Sequence, residues 1–237
     1  MDRPTELRIG RRVFLGMVGV GVAGVLYGAK AADLLERAIG PLTARDGTGL
    51  LALFPVGRFR IYSVTNSLPS RTAAEYRMAV AGDVARPLSL SLADLRAMPP
   101  THLQKDFQCV TGWRVHDVKW TGVRLADVLD QAGAAPDAWG VRFTSFDGLY
   151  TETLTMSQAR RPDVLVAYEM AGRPVTQAHG GPVRLYVAPM YGYKSCKWLD
   201  RVEVVREPAG PGYWERRGYD TDAWVGRSNG RDDDAIS

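Results

Sequence analysis

Between residue 54 and about residue 205 the chain is cut by Gly and Pro into short segments whose apolar patterns switch between strand and helix periods. That punctuation limits the fold more than any other feature, because each segment is long enough for only one short element. Tyr76-Arg77-Met78-Ala79-Val80 alternates and runs into Gly82-Asp83, a strand and its turn. Ser91 can cap a helix, Asp94 supplies an acid to its first turn, and Pro99-Pro100 stops it. Leu125, Val128 and Leu129 share one face, which predicts a helix over 123–132 with Gly133 at its C-terminal cap. Segments 141–146, 164–168, 183–187 and 202–205 read as strands, and Ala171-Gly172-Arg173-Pro174 as a hairpin-like turn. Strands outnumber helices, and no glycine-rich phosphate loop follows the first strand. The expected class is therefore α+β, with mixed β-sheets and short helices, and not a dinucleotide-binding doubly wound fold.

The 237 residues suffice for one large domain with appendages, and an apolar share of 46% is enough for a sizeable core. The net charge of +4 is mild and the Arg residues are scattered. No nucleic-acid module is visible, so nucleic acid is not an expected partner. A membrane surface or an anionic ligand is the simpler use of the excess charge. The two cysteines, Cys109 and Cys196, are too few for a disulfide scaffold in a chain of this size.

The N-terminus carries its own pattern. Arg11-Arg12-Val13-Phe14-Leu15 opens a stretch, 13–29, without charge, and Lys30 closes it. A basic pair before a moderately apolar core fits an export signal of the twin-arginine type, and Ala29-Lys30-Ala31 fits a small-x-small cleavage site. The competing reading is a membrane anchor, for which 13–29 stands at the short edge of a span. Segments then divide as 1–31 signal or anchor, 32–53 connector with a short helix over 33–39, 54–227 folded domain, and 228–237 a polar tail expected to fray.

Two stretches carry chemistry. In Asp106-Phe107-Gln108-Cys109-Val110-Thr111-Gly112-Trp113 a strand-like run ends on a thiol and then on turn residues. Such a thiol is either a packed structural cysteine or a soft ligand pointed into a cavity. His102, His116 and His179 are available as bases, but none stands in a nucleophile-base signature. The second stretch, residues 179–199, sets Arg184, Lys194 and Lys197 among Gly and Pro in an otherwise apolar segment. Cations in a core need an anion, so this segment reads either as a cradle for a phosphorylated ligand or as a strand followed by a solvated basic loop.

The pieces "DFQCVTGW", "VKWTGVRLADVL", "RFTSFDG" and "GGPVRLYVAPMYGYKSCKWL", in this order, resemble the sulfite-oxidase family of molybdopterin enzymes. The branch they resemble most includes the catalytic subunit of the bacterial periplasmic methionine-sulfoxide reductase. The resemblance implies the sulfite-oxidase type of molybdopterin domain and a molybdenum–molybdopterin cofactor with Cys109 as metal ligand. It places further cofactor contacts at Asn66, Thr144, His179, Arg184, Ser195, Cys196 and Lys197. Arg114, five residues after Cys109, falls where sulfite-oxidising relatives keep a substrate-binding cation. The implied reaction is oxygen-atom transfer: reduction of a sulfoxide or related S- or N-oxide with electrons from a membrane cytochrome or flavocytochrome. Sulfite oxidation is the alternative, and a non-catalytic binding protein that keeps the fold is the reading from another class. No haem domain or dimerisation sandwich is evident, which favours a monomer; the aromatic run around Trp214, Tyr219 and Trp224 is expected to pack on the core.

Overall fold

The computed structural model describes residues 59–236; the export signal, the connector, the helix over 33–39 and the first residues of the expected domain lie outside that range. Ten strands and three short α-helices follow in order: β1 Arg77–Gly82, β2 Leu88–Ser91, α1 Leu92–Ala97, β3 Thr101–Gln108, β4 Arg114–Arg124, α2 Leu125–Ala132, β5 Gly140–Ser145, β6 Thr151–Thr155, α3 Met156–Ala159, β7 Val164–Met170, β8 Arg173–Pro174, β9 Arg184–Val187 and β10 Leu199–Val205. This is the expected α+β class with mixed sheets.

Local chemistry accounts for the helix ends. Ser91 and Asp94 close a reciprocal capping box on α1, Asp94 N donating to Ser91 Oγ at 3.0 Å and Ser91 N to Asp94 Oδ2 at 2.8 Å. Helix α2 ends at Gly133 in the left-handed conformation, φ 67°. Its start differs from the expected residue 123. Val123 and Arg124 stay in β4 because they pair with Val166 and Leu165 of β7, and ladder bonds with burial outweigh the helical spacing.

One sheet has the order β2-β1-β10-β5-β6, with β1 parallel to β10 and the other pairs antiparallel. The second sheet, β3-β4-β7-β8 with β9 also on β7, is antiparallel throughout and is inserted between β1 and β10. Central strand β7 is buried on both faces. Val164, Val166 and Tyr168 point into the larger core with Met78, Leu129 and Phe143, while Leu165, Ala167 and Met170 point into a smaller one with Phe107, Trp120 and Tyr186. The same two-residue period on β9 sends Leu185 and Val187 to the large core and leaves Arg184 on the face of Tyr186.

Strands β4 and β6 were not legible, since Arg114–Arg124 mixes charge and aromatics and the Thr-Glu-Thr of β6 is polar. Beyond β10 the chain wraps back: Trp224 bridges Met190, Tyr191 N donates to Ala223 O at 2.8 Å, and Val225 N to Pro189 O at 3.1 Å. Residues 229–236, expected to fray, instead make defined contacts with Gly112 of the β3–β4 turn, with Arg114 at the start of β4 and with Tyr191. Among the described residues no helix is long and apolar enough to cross a membrane.

Candidate active site

Cys109 is the first residue after β3 and opens the turn to β4. Its N–H donates to Trp113 O at 2.9 Å and its carbonyl accepts from Gly112 N at 3.0 Å, so both ends of the turn are closed. Thr111 Oγ1 offers the sulfur a hydrogen bond at 3.2 Å. Cys109 lines a cavity of about 330 Å³. The other walls are residues 59–64, Asp147 and Tyr150 of the β5–β6 turn, His179, Arg184, the segment 192–198, and Tyr213, Trp214 and Tyr219. Gly192 closes the approach between two walls: a β-carbon there would stand 2.4 Å from the Phe107 ring.

Arg184 supplies the charge. It is 3% exposed, yet it lines the cavity. Nη1 donates to His179 O at 2.8 Å, Nη2 to Ser195 O at 3.0 Å and Nε to Leu185 O at 3.3 Å. All three partners are carbonyls, and among the described residues no carboxylate pairs with the guanidinium. The rings of Phe107 and Trp120, each 5.5 Å away, give partial relief. Burial pulls its pKa down to about 10. A buried cation without a counter-charge is costly, and an anion entering the cavity would remove that cost.

Lys197 and His179 stand in the same field. Burial, then Arg184, lowers the Lys197 ammonium to about 8, and Lys197 Nζ donates to Tyr62 O while lying 4.3 Å over Trp198. Burial, then Arg184 and Lys197, lowers His179 to about 4, so it is neutral near pH 7. Lys194 behaves otherwise. Read as a cradle cation, it is instead turned into the core, 2.5 Å from Glu152 Oε1 and 2.6 Å from Glu215 Oε1.

The structure brings Cys109, His179, Arg184, Ser195 and Lys197 to one cavity. Ser195 contributes its carbonyl to Arg184, and its Oγ accepts from Val187 N at 3.0 Å. Cys196 is fully buried beneath the lining, its thiol pushed well up by burial. Asn66 (φ 55°) and Thr144, whose β5 backbone pairs with Arg201 and Thr151, do not line the cavity. Neither does Arg114. Its Nε donates to Gln108 Oε1 at 2.6 Å, Nη1 lies 3.5 Å from Asp106, and Nη2 donates to the Asp234 carbonyl. Trp113 and Tyr193 line the cavity, whereas Tyr191 is packed away from it.

Residues 59–64, Asp147, Tyr150 and the Tyr213–Tyr219 aromatics were not read as site residues. Only Asp147 carried a signal, the Asp-Gly turn, and its Oδ1 indeed accepts from Leu149 N and Tyr150 N at 2.8 Å. Trp214 and Tyr219 pack against the core as expected and are also walls of the cavity.

The donor set decides what fits. Among the described residues no three His, Cys, Asp or Glu side chains converge on one point, so a metal here must bring most of its ligands with it. A metal carried by an organic dithiolate with a phosphate tail would use one protein thiol and one buried cation, which is what lines this cavity.

Comparison with known proteins agrees. Residues 65–214 match the oxidoreductase molybdopterin-binding domain family. The chain is 36% identical over 61% of its length to the uncharacterized oxidoreductase YuiH of Bacillus subtilis, covering 72% of that protein. It is 31% identical over 61% of its length to a sulfite oxidase of Arabidopsis thaliana, covering 45% of it. It is also 31% identical over 72% of its length to a candidate protein-methionine-sulfoxide reductase subunit, YedZ1, of Azospira oryzae, covering 63% of it. The sulfane dehydrogenase SoxCD of Paracoccus pantotrophus shares the fold, with a TM-score of 0.56 at 20% identity over 64% of this chain and 42% of that one. The chain belongs to the sulfite-oxidase family of molybdopterin-binding oxidoreductases, and its cofactor is a molybdenum–molybdopterin.

Proposed function

We propose that the chain is an oxygen-atom-transfer enzyme that reduces a sulfoxide or related S- or N-oxide. The observation that carries this reading is the meeting of a lone thiol, Cys109, and a carboxylate-free buried cation, Arg184, in one largely aromatic cavity. The bound molybdenum–molybdopterin supplies the two-electron redox chemistry. Cys109 holds the metal as thiolate, with Thr111 Oγ1 donating to the sulfur. Arg184 and Lys197 grip the phosphate of the pterin, and the carbonyls of His179 and Ser195 hold the Arg184 fork in place. Neutral His179 is a polar contact to the pterin that adds no further positive charge. Trp113, Tyr193, Trp214 and Tyr219 exclude water and accept the apolar arms of an oxide substrate.

The alternative of sulfite oxidation draws on Arg114 as the cation for a dianion. Its guanidinium is instead engaged by Gln108, Asp106 and the Asp234 carbonyl, which supports a neutral substrate. Cys196 acts, in this reading, by supporting the lining: its carbonyl accepts from Leu185 N at 2.8 Å, beside Arg184. Electrons come from a membrane cytochrome or flavocytochrome, and the Arg11-Arg12 signal delivers the chain, as a monomer, to the periplasmic face, where 13–29 can also tether it.

The test is a reduced-dye assay of the molybdenum-loaded protein against sulfoxides and N-oxides, with sulfite oxidation run in parallel. Cys109→Ala is expected to remain folded and lose turnover by about 10³-fold or more. Wild-type turnover in Cys109→Ala would sink the ligand assignment, and faster sulfite oxidation than oxide reduction would reverse the direction.

A further inference from the structure

The turn that carries Cys109 is short: its own backbone bonds close it, and Gln108 pairs with Arg114 at its base. What it leans on is the end of the described chain. Gly112 stands in the left-handed region, φ 98°, and a β-carbon there would lie 2.5 Å from Arg231 Nη2, so the guanidinium rests on the turn itself. Arg231 Nε is 3.0 Å from Asp233 Oδ2. The same oxygen accepts from Tyr191 Oη at 2.8 Å, next to Gly192 and Tyr193 of the cavity wall. Arg114, the first residue of β4, donates to the Asp234 carbonyl. The strap is thus tied to the turn and the start of β4 on one side and, through Tyr191, to the segment that leads into Gly192 and Tyr193 on the other. A second, polar hollow lined by Val110, Tyr219, Asp220, Asn229 and Arg231 adjoins the turn and gives it room to swing if the strap lets go.

We propose that residues 229–236 are a positioning strap for the Cys109 thiolate, with Arg231 and Asp233 as its positioning residues. The inference rests on the reading of Cys109 as metal ligand. Its physical content is orientation: Arg231 props the turn, and Asp233 fixes Arg231 relative to Tyr191. The direction of the sulfur is thereby set by a segment that does not itself line the Cys109 cavity. Loss of the prop should change the metal–sulfur geometry and the chemical rate without changing how substrate binds.

Three readouts on the full chain test this in Arg231→Ala, Arg231→Lys and Asp233→Asn. The first is alkylation of the cofactor-free protein by iodoacetamide, in which Cys196 is fully buried and Cys109 reports alone. Arg231→Ala and Asp233→Asn are expected to be alkylated about fivefold faster or more, with Arg231→Lys near wild type. The second is the electron paramagnetic resonance signal of half-reduced molybdenum in the loaded enzyme, expected to shift in Arg231→Ala. The third is steady-state kinetics, with kcat down about tenfold and KM within about twofold. An alkylation rate within twofold of wild type, or an unmoved resonance signal, overturns the proposal whatever the activity does. Cys109→Ala with full activity and full molybdenum content would instead overturn the ligand assignment, and the alkylation result would still stand on its own.

Discussion

Lys194 and Arg184 come from one segment, are both buried, and were legible in the sequence as the same kind of residue. The chain treats them in opposite ways. Lys194 is given two carboxylates, Glu152 and Glu215, within 2.6 Å. Glu152 is pushed up by burial, and Lys194 only partly offsets that. Burial also pushes on Glu215, but its hydrogen bonds and Lys194 win and hold it low. Arg184 is given carbonyls and ring faces but, among the described residues, no negative charge. A buried cation with its counter-charge built in is a structural tie, here joining β6 to the wrapping segment at Glu215. One without a counter-charge is half of a binding site.

The largest expected effect follows from the first case. Lys194→Met leaves two buried carboxylates facing each other, and Glu152 Oε2 and Glu215 Oε2 already lack a partner. It should cost about 3–5 kcal/mol of folding stability in urea titration. Molybdenum content per folded molecule should stay near wild type. Normal stability in this variant would erase the contrast from the structural side.

The second case inverts the pattern. Arg184→Met strips donors from three carbonyls but also removes an unpaired charge, so the cofactor-free chain should lose much less stability than with Lys194→Met. Cofactor retention should fall by about 10–100-fold, the worth of a charge-assisted contact of roughly 1.5–3 kcal/mol, read as molybdenum and pterin per chain. Full retention would show that the uncompensated cation is not what holds the phosphate.

This contrast marks where sequence reading stops. Glycines, prolines and two-residue alternation located β1, β5, β7, β9 and β10, because these strands are apolar and their turns are chemically distinct. Strands β4 and β6 were hidden, since their pairing partners, and not their own composition, make them strands. At the site, Cys109 and Arg184 were legible as a thiol at a strand end and a cation in an apolar run. The fate of Lys194 was not, because Glu152 and Glu215 lie far from it in sequence and only the fold brings them together. Arg114 was misleading for the same reason: the Asp234 carbonyl that engages it comes from the far end of the chain.

The smallest effect, and the finest test of the contrast, belongs to Lys197. Burial and Arg184 lower it from 10.5 to about 8 in the folded chain. Between those values the unfolded chain binds more protons than the folded one, so stability should rise with pH. The cost of keeping this ammonium charged is fully present below pH 8 and fades toward pH 10.5. Binding of a phosphate should run the other way, weakening above about pH 8 as the ammonium deprotonates. Cofactor-free wild type compared with Lys197→Met isolates the group: the stability difference should shrink, and the difference in inorganic phosphate binding vanish, as pH rises through this range. A wild type more stable than Lys197→Met, by a margin flat from pH 8 to 10.5 and falling only above it, would mean that Lys197 is paired by an acid in the folded chain. It would then belong with Lys194 on the structural side, leaving Arg184 as the cavity's binding cation.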